Sequence, residues 1–167
     1  MNMQFYEEKL SSSREFKDFI KENKDAYLCS GFFVVDKDGK DNKQHLDYYL
    51  PKEKKMISFQ MEEGIKKVFV DMLDDKVPKK ISKSEFDFDD MEEMIQRRMQ
   101  EQNIKNKIQK IIFSLQNLDG KDFLICTVFI SMLGILKVNI DLSNKKITEF
   151  EKKSFFDIMK VTKKKKG

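Results

Sequence analysis

Apolar positions along the chain recur with periods that place most of its elements. In SSSREFKDFIKENKD, Phe16, Phe19 and Ile20 fall on one helical face and Ser12 with Glu15 has capping-box spacing, so a short helix is predicted over about 13–23. AYLCSGFFVV reads as an apolar strand and DKDGKDNK as a turn-rich loop. HLDYYL and KKMISFQM read as two further strands, and the alternation of Val68, Val70 and Met72 as a fourth. From Asp74 to Asp90 the chain has Pro78, dense charge and no sustained period, the pattern of a linker. Asp89 with Glu92 opens a predicted long helix running to about Asn117, with Ile104, Ile108, Ile111, Leu115 and Leu118 along its stripe and Gly120 just past its end.

Beyond Gly120 the outline of the first half recurs. Lys24-Asp25 matches Lys121-Asp122, Leu28-Cys29 matches Ile125-Cys126, and Phe32 matches Phe129, all at an offset of 97; KKMISF at 54–59 matches KKITEF at 145–150, at an offset of 91. The six-residue difference falls where the first copy has its DKDGKDNK loop and the second the short MLG connection, and surface loops are where insertions are tolerated. The expected fold is therefore α+β: two tandem helix-plus-antiparallel-sheet repeats of α-β-β-β order forming a pseudo-symmetric compact unit. Its expected parts are a first repeat over 1–73, a charged linker over 74–90, a second repeat over 91–160 and a basic tail over 161–167. With VNIDLSNKKITEF as strand, turn and strand, the order of elements resembles the helix-plus-sheet modules of PepSY and cystatin-like proteins. The resemblance extends to element order alone and implies no functional residue.

The repeated strand has no polar face. Its first copy sets Tyr27, Cys29, Gly31, Phe33 and Val35 against Ala26, Leu28, Ser30, Phe32 and Val34, and its second copy is as apolar. An antiparallel strand with one wet side normally alternates apolar and polar. The strand is thus expected to be covered twice, once by its own helix and once by the other repeat or by a partner. Leu28, Phe32, Ile125 and Phe129 are the candidate protein-binding residues, the partner being another protein or a second copy of the chain.

Composition adds an alternative. Of the 167 residues 40% are hydrophobic and 37% charged, enough apolar content for a core. The second half, from residue 91, carries 16 Lys/Arg against 9 Asp/Glu. That balance admits a nucleic-acid partner held by Lys105, Lys107, Lys110, Lys121 and the tail lysines Lys163, Lys164, Lys165 and Lys166. Only Arg14, Arg97 and Arg98 supply guanidinium groups, which ranks nucleic acid second to protein.

Candidate chemistry is sparse. Cys29 and Cys126 lack CxxC spacing and read as packing. His45 is the sole histidine and has no Ser/His/Asp, HExxH or phosphate-loop setting. The loop with Asp36, Asp38, Asp41 and Asp47 misplaces its glycine for an EF-hand and lacks the terminal Glu, so a hairpin turn is expected. Asp87, Asp89, Asp90, Glu92 and Glu93 suit a helix N-terminus without a cation. Phe155, Phe156, Ile158 and Met159 are expected to form the apolar side of a short docking helix. No cofactor or metal is expected, and no catalytic residue. MNMQFYEEKL has no signal-peptide pattern, and the mostly apolar run Phe123 to Leu136 is too short to span a bilayer. The expectation is a cytoplasmic, non-catalytic binding or adaptor protein.

Overall fold

The computed structural model describes residues 1–72, 74–82 and 85–154. Three helices, α1 (Met3–Ser11), α2 (Arg14–Glu22) and α3 (Phe88–Glu101), accompany eight strands: β1 (Tyr27–Asp36), β2 (Lys43–Leu50), β3 (Lys55–Gln60), β4 (Lys66–Val70), β5 (Ile108–Leu118), β6 (Lys121–Ile130), β7 (Gly134–Asp141) and β8 (Lys146–Ser154). All eight strands form one antiparallel sheet in the order β4-β3-β2-β1-β5-β6-β7-β8. This overturns two tandem α-β-β-β repeats. The chain is mixed α+β, but a single continuous sheet joined at β1 and β5 replaces two small ones, and one hydrophobic cluster unites residues from β1–β3, β5–β7 and all three helices.

The proposed sequence match also pairs unlike strands. It aligns β1 with β6, whereas the central neighbours of the sheet are β1 and β5, in register from Ser30↔Gln116 to Asp36↔Lys110. The physical reason is that the predicted long helix stops early. Its first part is α3, capped by Asp87, whose Oδ1 accepts from the backbone N–H of Asp89 at 2.8 Å and of Asp90 at 3.3 Å. The helix ends by Gln102, with Asn103 at φ +56°, and the Ile-rich remainder is strand β5. Gly120 closes no helix. With Asp119 it makes the two-residue turn between Leu118 and Lys121, both turn residues at positive φ, the geometry that Asp-Gly favours in a hairpin.

Every helix buries its apolar side against one sheet face. Phe16 and Phe19 of α2 pack on Phe59, with ring centroids 5.5 and 5.1 Å apart, and Phe88 of α3 meets Phe33 at 4.8 Å and Phe113 at 5.3 Å. Met91, Ile95 and Met99 extend that contact along α3. The α1 helix, outside the predicted elements, adds Met3 and Leu10, with Asn2 as its N-cap. Its entry is tied to α3: the Met3 N–H donates to the Phe86 carbonyl at 2.9 Å and the Phe88 N–H to that of Met1 at 3.0 Å. The stretch predicted as a linker carries Ile81 and Phe86 into the core.

Candidate binding face

The opposite sheet face has no helix on it among the described residues. Cross-strand register lays its side chains out in rows. One runs His45, Phe32, Ser114, Ile125, Asn139, Glu149; the next Lys43, Val34, Ile112, Thr127, Lys137, Glu151; a third Lys110, Phe129, Ile135, Lys153. Phe32, Ile112, Ile125, Phe129 and Ile135 are half-buried and belong to no core contact, so the middle of the face is apolar and its outer columns charged.

Of the four candidate protein-binding residues, Phe32, Ile125 and Phe129 share this face, and Leu28 does not. It pairs with Tyr48 and packs against the helix-side core. A β-bulge causes the separation: register jumps from Leu28↔Tyr48 to Ser30↔Asp47, leaving Cys29 as the extra residue and reversing the side-chain alternation. Residues on either side of the bulge thus face oppositely although their numbers have the same parity.

Beside the bulge lies a concavity of about 480 Å³, floored by Cys29, Ser30, Asp47, Met56, Ser114 and Gln116 and walled by the chain after β4. The Ser30 hydroxyl donates to Asp47 Oδ2 at 2.7 Å, and the Cys29 thiol lies 3.5 Å from Met56 Sδ. Tyr27 ties the wall down by donating to the Pro78 carbonyl at 2.6 Å.

The remaining expected sites are accounted for locally. Cys29 and Cys126 are not equivalent: Cys29 is buried on the helix-free side and Cys126 in the helix-side core. Burial pushes the Cys29 thiol up to about 12 and the Cys126 thiol higher still, so neither supplies a thiolate near neutrality. His45 Nε2 is paired with Glu62, and its ring leans on Phe32 at 5.6 Å. The Asp36 loop turns on itself, the Asp36 carboxylate accepting from the N–H of Asp38 and of Asp41 at 3.1 and 3.0 Å. Among the described residues no group of three or more His, Cys, Asp and Glu side chains is placed to hold a metal ion.

The basic set is dispersed. Lys110 is 3.0 Å from Asp41 and Lys121 3.9 Å from Asp141, at opposite ends of the sheet, while Lys105 and Lys107 lie on the connection into β5. Lys163, Lys164, Lys165 and Lys166, and the expected docking helix with Phe155, Phe156, Ile158 and Met159, lie outside the described residues. No described helix is long and apolar enough to cross a membrane.

No protein-family model and no curated protein matches the sequence. A crystal structure described as that of a candidate lipoprotein from Clostridium difficile 630 has the same fold, with a TM-score of 0.53 and 12% identity over 83% of this chain and 90% of its own. At that identity the likeness concerns the fold.

Proposed function

We propose that the protein is a non-catalytic binding module that docks another protein on the helix-free face of its sheet, a second copy of the chain being the first occupant to test. One observation carries the reading: half-buried Phe32, Ile112, Ile125, Phe129 and Ile135 share this face, Phe129 directly opposite Ile135 and Ile112 diagonal to Phe32, Ile125 and Phe129, with no helix over them among the described residues. An apolar middle inside a charged rim is the anatomy of a protein interface. The rim carries both signs, Lys43, Lys137 and Lys153 beside Glu149 and Glu151, so two copies related by a two-fold axis can set lysines against glutamates.

The chemistry favours binding over catalysis. The one histidine and the Ser30 hydroxyl are engaged with carboxylates, and both thiols are held protonated. Nucleic acid ranks second, because two of its four described lysines are spent on carboxylates. For the structural neighbour, the word lipoprotein describes that protein; we propose a cytoplasmic location for this one, and cell fractionation tests it.

The test is light scattering after size exclusion, on the wild-type chain and on Ile125→Asp and Phe129→Asp. A wild-type dimer that both substitutions convert to a monomer is expected. A wild-type monomer that captures no partner through this face, or a dimer indifferent to both substitutions, overturns the reading.

A further inference from the structure

The loop that closes the β6–β7 hairpin is built against the usual chemistry of such turns. Ile130 pairs with Gly134, and between them Ser131, Met132 and Leu133 turn the chain with φ +63° at Met132 and +58° at Leu133. Glycine and asparagine enter that backbone region readily, and apolar side chains rarely. The side chains so presented are not buried: Met132 is 90% and Leu133 59% exposed. Nor is the loop loosely held. The Ser131 N–H donates to the Lys107 carbonyl at 2.8 Å, the Asn106 amide to the Ser131 carbonyl at 2.8 Å, and the Lys107 N–H to the Ser131 hydroxyl at 2.9 Å.

Those bonds place a basic segment beside the apolar tip. Lys105 and Lys107 flank Asn106 and have no carboxylate within ion-pair distance among the described residues. On the other side β8 ends at the same level, Ser154 pairing with Gly134, Lys153 with Ile135 and Lys152 with Leu136. Two exposed apolar side chains on a hydrogen-bonded tip and the lysines Lys105, Lys107 and Lys152 lie at one end of the sheet.

We propose that this end of the sheet docks on an anionic lipid bilayer, with Met132 and Leu133 entering the interface and Lys105, Lys107 and Lys152 facing the headgroups. The charges match such a surface, and the exposed apolar pair distinguishes it from a nucleic acid, which offers phosphates to the lysines but nothing to a methionine and a leucine. Apolar insertion combined with basic attraction is also what weak interfacial anchors require, since neither signal alone holds firmly. The proposal does not depend on what occupies the helix-free face.

The experiment is co-sedimentation of the full chain with phosphatidylcholine vesicles, with and without phosphatidylserine, at low and raised salt. Binding only to the phosphatidylserine vesicles, weakened by salt, is expected. The double variant Met132→Asn, Leu133→Gly suits the positive φ angles, so it should melt no earlier than wild type while its vesicle affinity falls about tenfold or more, the scale of withdrawing two apolar side chains from the interface. Lys105→Glu with Lys107→Glu should lower binding as well. Absence of wild-type binding to anionic vesicles overturns the proposal. So does undiminished binding by the Asn-Gly variant, above all if heparin displaces both proteins equally, because the lysines would then be serving any polyanion.

Discussion

Leu28 and Phe32 stand four residues apart on β1 and point to opposite faces of the sheet, Leu28 onto the helix-side core and Phe32 onto the ring of His45. The bulge at Cys29 separates them, so equivalent truncations should differ. Leu28→Ala removes packing from the core and should cost about 2 kcal/mol, whereas Phe32→Ala should cost under about 1 kcal/mol in the isolated chain. Urea unfolding of the two variants checks the order, and a larger loss for Phe32→Ala would show that its face is covered within the chain.

Gly134 answers a steric demand rather than a conformational one. A Cβ built there would lie 2.6 Å from Ile130 Cγ1 and 2.7 Å from Cδ1. Gly134→Ala should therefore destabilise by about 1–3 kcal/mol through a forced shift of Ile130, and the added change Ile130→Ala should be less costly in that background than in wild type. A double-mutant cycle on melting curves reads the coupling.

Removing the N-cap of α3 should weaken the helix that spans both halves of the core. Asp87 accepts from two free N–H groups of the first turn and also lies 3.6 Å from the N-terminal ammonium. Asp87→Ala should lose about 1 kcal/mol, and Asp87→Asn or Asp87→Ser most of that less, because both retain a capping oxygen. Thermal unfolding of the three variants tests the ranking.

Alkali should unfold the protein earlier than its charge alone suggests. Burial raises the Cys29 thiol to about 12 and lifts the Cys126 thiol and the Tyr48 phenol well above their ordinary ranges. In the unfolded chain these groups ionise near ~8.5 for Cys and ~10 for Tyr. The native state then holds protons that the unfolded state has lost, so their contribution is whole below the unfolded values and is lost as pH rises toward the folded ones, by up to about 1.4 kcal/mol per group per pH unit. Denaturation curves between neutrality and pH about 11 should show this decline, and Cys29→Ala with Cys126→Ala should flatten its lower part.

Strands β1 to β4 and β6 to β8 were legible because their apolar or alternating runs are bounded by turn residues. β5 was not. Ile111 and Leu115 satisfy a four-residue helical step and a two-residue strand step at once, and the run Ile108, Ile111, Ile112, Phe113 places β-branched and aromatic residues where either element could bury them. Asp119-Gly120 suits both a helix end and a two-residue hairpin turn, and it is the hairpin that forms, with both residues at positive φ. Of the candidate face, Phe32, Ile125 and Phe129 could be found from a strand lacking a polar side. Leu28 could not, because a bulge is set by pairing between strands and leaves no mark in one strand's own pattern.

Six of the sheet's pairings join strands that follow one another in the chain; β1 against β5 is the exception, bringing together residues as distant as Phe33 and Phe113. Folding therefore divides into quick local steps and one slow closure. The hairpins can form early, but helix α3 gains its full bed only after the central seam has zipped, since Phe88 rests on both Phe33 and Phe113. The same geometry offers a wrong solution: at high concentration the first four strands of one chain can close that seam against β5 of another. Dilution during refolding is the natural guard against that exchange.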